Sequence, residues 1–156
     1  LLAAGVSRLT VLNRTAACAA ELVSAFADPR LDGGGYDLLA GSGAGGDAAL
    51  PPFDVIINAT SASLGDDAPP VPPARLAQAR LVYDMFYAAR PTPLMRQAQR
   101  AGCPLVADGL GMLVEQAAES FLVWRGVRPP TGDVYAALRA VIDGNGAGHA
   151  GQQGAR

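Results

Sequence analysis

The chain has no lysine, one histidine, two cysteines and one tryptophan among its 156 residues. Its 12 basic side chains are therefore all arginines, set against 14 carboxylates for a net charge of −2. That balance provides no basic field for nucleic acid and no polybasic stretch for a membrane surface. No apolar run approaches the roughly 20 residues that a membrane-spanning helix needs. The opening Leu1-Leu2-Ala3-Ala4-Gly5 is too short, and has no basic start, for a secretory signal. Cys18 and Cys103 lie far apart and match no metal-ligand spacing, so they read as two reduced thiols of a cytosolic protein with no metal site. His149 sits in a stretch from Gly144 onward with no apolar residue larger than alanine, which argues against a catalytic histidine.

What remains is the composition of one soluble globular domain, 50% hydrophobic and 17% charged. Leu9-Thr10-Val11-Leu12 reads as a short strand, followed by polar Asn13-Arg14-Thr15 and a helix from about Ala16 to Phe26. Glycines at 33–35 and 41–46 bracket one possible strand, Tyr36 to Ala40. No strand–glycine–helix order surrounds them, so they read as surface loop rather than phosphate cradle. The apolar run from Phe53 to Asn58 predicts a strand buried on both faces. A short helix near Ala74 to Ala79 and a strand from Leu81 to Met85 follow. Thr92-Pro93 opens a helix that ends at Gly102, with threonine as N-cap and proline in the first turn. Pro104 to Ala107 is a short strand, and a helix from about Leu110 to Trp124 stops at Gly126. Its expected buried stripe is Leu113, Ala117, Phe121 and Trp124. A last helix, Thr131 to Val141, places Val134, Leu138 and Val141 on one face. The expected organisation is one domain over 1–143 and a disordered tail over 144–156.

Strands alternating with helices imply βαβ units and an α/β fold with a mostly parallel sheet. Ligands of such sheets bind beyond the carboxyl ends of the strands. Four strand ends here are polar, aromatic or glycine-rich. Arg14 can pair with a 2′-phosphate, where an acidic residue would prefer a free ribose hydroxyl; a solvated arginine in a turn is the alternative. Thr60 and Ser61 can bond a ribose or diphosphate, or simply close a turn with Asn58. Met112 and Gln116 share a helix face whose entrance is Gly109. Glycine admits a flat ring close to the backbone, methionine offers it a soft surface, and glutamine can donate to and accept from a hydroxylated substrate. Met112 as plain core is the alternative. Tyr87 follows the strand end at Met85 and is either a ligand contact or a half-buried core residue.

The ordered set Asn13-Arg14-Thr15, Ile57-Asn58-Ala59-Thr60-Ser61, Tyr83-Asp84-Met85-Phe86-Tyr87 with Thr92-Pro93-Leu94, and Asp108-Gly109-Leu110-Gly111-Met112-Leu113-Val114 with Gln116-Ala117-Ala118 resembles shikimate dehydrogenase. Trp124-Arg125-Gly126 fits the same pattern, and the likeness covers roughly Leu1 to Ala140. The resemblance implies a Rossmann-like sheet with flanking helices, truncated at its N-terminus. It implies a cytoplasmic enzyme of aromatic amino acid (chorismate) biosynthesis, a monomer or homodimer. That enzyme reversibly reduces 3-dehydroshikimate to shikimate with NADPH. It further implies that Asn13, Arg14 and Thr15 hold the 2′-phosphate of NADP and that Thr60 and Ser61 line the cofactor groove. Met85, Gly109 and Met112 would flank the nicotinamide, and Tyr87 and Gln116 would reach the substrate.

Two positions depart from the family's pattern. Cys18 stands where a second arginine is common, which removes one phosphate contact worth about 1–2 kcal/mol of selectivity. Ala62-Ser63-Leu64-Gly65 replaces the usual glycine-methionine pair. The family's catalytic lysine and aspartate, its shikimate-binding serines, and its first strand with the diphosphate loop have no counterpart in these residues. The expectation is a chain that alone neither turns over nor binds NADP tightly, whose sheet has an unpaired edge. An NAD-preferring quinate/shikimate dehydrogenase, a non-catalytic remnant or binding domain, and more distantly a folate-linked dehydrogenase are the competing readings.

Overall fold

The structure, a computed structural model, describes residues 1–40, 50–62 and 67–149. The glycines at 41–46, residues 63–65 of the departing loop, and 150–156 of the expected tail lie outside these residues. The chain divides into two compact units, Leu1–Pro51 and Pro52–Arg156.

The first unit is a single βαβ crossover. Strand β1 (Leu9–Leu12) leads into helix α1 (Ala16–Phe26) and returns as β2 (Leu31–Gly34). The strands are parallel, with Leu9 opposite Leu31 and Leu12 opposite Gly34. Ala19 is buried where α1 packs on the pair. This close packing explains why a glycine occupies a strand, which propensity disfavours. A Cβ on Gly33 would stand 2.6 Å from the Val11 carbonyl oxygen and 3.4 Å from the Ala19 Cβ. The strand expected at Tyr36 to Ala40 is instead a 3-10 helix of those residues. The pairing edge of β1 is already taken by Leu31–Gly34, which local pattern alone marks as turn. Arg30 fixes the start of the chain: it pairs with Asp28 and donates to the Leu2 and Val6 carbonyls at 3.2 and 3.4 Å. The Arg30 hydrogen bonds hold the Asp28 carboxyl down at about 2. Gly5, at φ 85°, closes the short 3-10 turn Leu2–Ala4.

The second unit holds β3 (Val55–Asn58), α2 (Pro73–Gln78), β4 (Leu81–Asp84), α3 (Pro93–Ala101), β5 (Val106–Asp108), α4 (Leu110–Arg125) and α5 (Gly132–His149). Its three strands are parallel in the order β3-β4-β5. The core gathers Leu76, Ala79, Val82, Leu94, Ala98 and Cys103, with Ile56 and Val106 against it. Leu76, Val82 and Leu94 are fully buried, so truncating either leucine to alanine costs about 2–5 kcal/mol. Thr92 caps α3 as its sequence indicates: its hydroxyl accepts from the Met95 amide at 3.3 Å, and Gly102 ends the helix at φ 86°.

Three expectations change here. Strand β3 is not buried on both faces: Val55 and Ile57 are exposed, while Ile56 and Asn58 turn inward, the period-two pattern of a sheet with one covered face. The buried stripe of α4 is Leu110, Val114 and Ala118 rather than Leu113, Ala117, Phe121 and Trp124. Trp124 is 78% exposed. Both stripes keep helical spacing, and the one that starts at the strand end of β5 is the buried one. Helix α5 runs through 144–149, where a disordered tail was expected. No proline interrupts it, and its backbone bonds satisfy glycines as well as any residue, at a propensity cost of about 1 kcal/mol each. Val134, Leu138 and Val141 share a face of α5, and that face is exposed.

Candidate functional site

In the first unit, Asn13, Arg14 and Thr15 form the turn from β1 into α1. The Asn13 amide donates to the Gly34 carbonyl at 3.0 Å, and the Asn13 side-chain oxygen accepts from the Thr15 amide at 3.0 Å. Asn13 therefore fixes the turn with the groups nearest to it. Thr15 is the N-cap residue, yet its hydroxyl makes no capping bond. The first turn of α1 contains no acidic residue. Arg14 is exposed and makes no ion pair among the described residues. A cation at a helix N-terminus meets the positive end of the macrodipole, an arrangement that an anion bound there would reverse. The exposed Cys18 lies in the same first turn.

In the second unit the ends of β3 and β4 meet through buried polar groups. Asp84, at the end of β4, is completely buried. Its carboxylate accepts from the Thr92 hydroxyl at 2.7 Å, the Asn58 side-chain amide at 3.2 Å and the Phe86 backbone amide at 3.1 Å. Asn58, 3% exposed, accepts in turn from the Thr60 amide at 3.1 Å and the Thr60 hydroxyl at 2.8 Å. One carboxylate thus sets the loop after β3, the loop after β4 and the cap of α3. The proton of the Thr60 hydroxyl is spent on Asn58, while its oxygen accepts from the Ala62 amide at 3.3 Å. The turn reading of Asn58 and Thr60 is the one this geometry displays. Ser61 is exposed beside it.

Met85 continues from Asp84, with its amide on the Asn58 carbonyl at 2.9 Å. Gly109 lies directly against it: a Cβ there would stand 1.9 Å from the Met85 carbonyl oxygen. Met85 and Tyr87 both leave their side chains more than a third exposed. Met112 is half-buried and Gln116 exposed one turn further along α4. The structure therefore brings Met85 and Gly109 into contact and places Met112 and Gln116 on the helix that starts at Gly109.

Pattern alone missed two groups. Asn58, Asp84 and Thr92 form a network across 34 residues of sequence, which no local spacing signals. Asp108 pairs with Arg139 on α5, and its carboxylate also accepts from the Leu110 amide at 3.2 Å. Burial is the main cause that pushes the Tyr83 hydroxyl up, opposed by a hydrogen bond with the Met112 backbone and reinforced by Asp108 and Tyr135. No group of three or more metal-ligating side chains occurs among the described residues. No helix among them is long and apolar enough to cross a membrane.

Residues 109–139 match the family model described as the shikimate 5'-dehydrogenase C-terminal domain. The chain is 51% identical over 134 residues to the shikimate dehydrogenase (NADP(+)) of Saccharophagus degradans, a match that covers 85% of this chain and 47% of that protein. Among solved structures it is similar to an Ael1 enzyme from Pseudomonas putida, at 44% identity and a TM-score of 0.78, over 88% of this chain and 47% of that one. It is also similar to shikimate 5-dehydrogenase from Thermus thermophilus, solved with shikimate, at 26% identity and a TM-score of 0.64, over 90% and 47% of the two chains. These neighbours establish the Rossmann-like α/β fold with parallel strands and flanking helices. The chain spans about half the length of the curated relatives it matches.

Proposed function

We propose, from the premise that this chain belongs to the shikimate dehydrogenase family and spans about half of its members' length, that the complete protein is an NADP-dependent shikimate dehydrogenase. Its reaction is the reversible reduction of 3-dehydroshikimate to shikimate, a step towards chorismate and the aromatic amino acids. These residues are its cofactor-binding half, with the two units as parts of one dinucleotide-binding domain over 1–143. When bound, NADPH supplies the hydride that goes to the carbonyl carbon, and a proton goes to the oxygen.

Arg14 carries the reading. It stands at the end of β1, before a helix N-terminus without an acidic residue, and makes no ion pair among the described residues. A 2′-phosphate at that place satisfies the guanidinium, the open Thr15 hydroxyl and the first-turn amides together. Asn13 holds the turn that presents them. Thr60 and Ser61 line the groove for the rest of the cofactor. Because the Thr60 amide and hydroxyl protons are both committed to Asn58, Thr60 meets the cofactor with the remaining lone pair of its hydroxyl oxygen. Met85, Gly109 and Met112 form a soft surface for the nicotinamide ring, and the missing Cβ at Gly109 lets it approach. Tyr87 and Gln116 bond the hydroxyl and carboxylate groups of the substrate. The chain contains no lysine, so the acid–base group at the carbonyl is not a lysine of these residues.

We place the protein in the cytoplasm, acting on a small molecule without nucleic acid or membrane as partner, as a monomer or homodimer. The test is shikimate-dependent reduction of NADP+ by the complete protein, with NAD+ and quinate in parallel. Turnover preferring shikimate and NADP+ is expected. A preference for NAD+ or quinate moves the protein to the quinate/shikimate dehydrogenases. No turnover with any pair, from folded protein, refutes the activity.

A further inference from the structure

We propose that the Asp108–Arg139 ion pair, flanked by Tyr83 and Tyr135, is a positioning device for the first turn of α4, and so for Gly109 and Met112. The proposal rests on the site assigned above.

Two backbone points of that turn are each held by a different group. The Leu110 amide donates to the Asp108 carboxylate at 3.2 Å. Tyr83 on β4 faces the same turn, with its hydroxyl near the Met112 backbone. Gly109 rests against the Met85 carbonyl, with its own amide on the Phe86 carbonyl at 3.3 Å. Asp108 is itself held from α5: one terminal nitrogen of Arg139 reaches both of its oxygens, at 2.6 and 2.7 Å. The guanidinium lies 5.9 Å from the centre of the Tyr135 ring and 3.7 Å from Asp143. Gly111 leaves room beside that ring, since a Cβ there would come only to 3.9 Å from Tyr135.

The Asp108 side chain is 9% exposed and Arg139 25%. A pair this far from water gains little net stability, because the desolvation of both charges offsets their attraction. Helix α4 is already docked by Leu110, Val114 and Ala118. What the pair adds is direction: one Arg139 nitrogen set against both oxygens aims the carboxylate head, and the carboxylate holds the Leu110 amide. The nicotinamide-facing residues Gly109 and Met112 lie on either side of that amide.

The test uses the complete enzyme with Arg139→Met, Arg139→Lys, Asp108→Asn, and the Met/Asn double variant. The readouts are kcat, KM for shikimate and for NADP+, the primary deuterium isotope effect with shikimate labelled at the transferred hydrogen, and Tm. Misplacement of the ring by a fraction of an ångström to an ångström predicts a fall in kcat of about ten- to a hundredfold for Arg139→Met and Asp108→Asn, with KM for NADP+ nearly unchanged. The isotope effect should grow as hydride transfer becomes slower. Arg139→Lys should retain more activity than Arg139→Met, and the double variant should be no slower than the slower single one, because both remove the same device. An unaltered kcat per folded molecule, losses that multiply in the double variant, or a loss that follows Tm alone overturns the proposal. Silence of the unaltered enzyme with every substrate pair removes the functional reading, and this proposal with it. If Arg139→Met does not fold, Asp108→Asn and Arg139→Lys carry the comparison.

Discussion

Gly109→Ala separates a demand for space from a demand for backbone freedom. Gly109 has φ −74° and ψ −1°, which alanine adopts without strain. The obstacle is the neighbouring chain. A Cβ would stand 1.9 Å from the Met85 carbonyl oxygen and 2.6 Å from its carbonyl carbon. Non-bonded heavy atoms settle at about 3.5 Å, so the two segments must part by roughly 1.5 Å. Both are backbone, so no flexible side chain can swing aside. Met85 cannot yield freely either, since its amide is bonded to Asn58 and the next amide to Asp84. Overpacking of this kind costs about 1–3 kcal/mol. Loss of the Gly109–Phe86 hydrogen bond adds about 1 kcal/mol. The sum is about 2–4 kcal/mol, or roughly 4–16 °C in Tm for a domain of this size. If Met85 and Gly109 face the nicotinamide, a displacement of about 1 Å also lowers kcat by about a hundredfold. Thermal denaturation and steady-state kinetics of the complete enzyme measure both. A Gly109→Ala enzyme with unchanged Tm and kcat refutes the reasoning. A loss of Tm with kcat per folded molecule intact refutes only the placement of the ring.

Arg14→Ala should raise KM for NADP+ by about ten- to a hundredfold, the worth of a hydrogen bond to a charged group, and leave KM for NAD+ unchanged; steady-state kinetics with both cofactors measures the difference. Cys18→Arg should act in the opposite sense on NADP+, by about 1–2 kcal/mol as read by the same comparison. Thr92→Val should destabilise by about 2–4 kcal/mol in denaturant titration, because it removes both the cap on Met95 and the donor to buried Asp84, and Thr92→Ser should recover most of it. The Asp28 carboxyl, held at about 2 by Arg30, lies below its ordinary 3.8. A depressed carboxyl contributes stability above its unfolded value and loses it as pH falls through the folded one. Asp28→Asn should therefore flatten the acid limb of stability between about pH 4 and 2, measured by denaturation at graded pH.

What the sequence made legible was local. Thr92 with Pro93, and the glycines at 102 and 126, mark helix ends through bonds made within a few residues, and each lies at such an end. Helix α1 has its expected bounds because Thr15 and the run after it concern one segment only. Strand β2 was not legible. Leu31-Asp32-Gly33-Gly34 has little strand propensity, and it is a strand because β1 offers a parallel edge and the Val11 carbonyl of β1 leaves no room for a side chain at Gly33. Helix α4 shows a different limit. Two apolar stripes with the same period run along it, Leu110-Val114-Ala118 and Leu113-Ala117-Phe121, and periodicity gives them equal weight. Only the direction in which the chain leaves β5 decides between them, and that is a property of the sheet.

The candidate site divides in the same way. Its proposed residues were selected by position alone, each just beyond the end of a parallel strand: Arg14 after β1 in the first unit, and Thr60, Met85 and Gly109 after β3, β4 and β5 in the second. The groups that hold them were not, because each bond spans distant segments: Asn58 to Asp84, Asp84 to Thr92, Asp108 to Arg139. Taken singly, these residues look like turn formers or surface charge. Their burial changes the reading, since a buried carboxylate persists only where donors meet it from several sides. Asp84 meets donors from β3, from α3 and from its own loop. A substitution at any of them therefore moves the loops after β3 and β4 together. If the loops after β3 and β4 hold the cofactor as proposed, Thr92, eight residues from Asp84, is a position where cofactor affinity and helix capping should change as one.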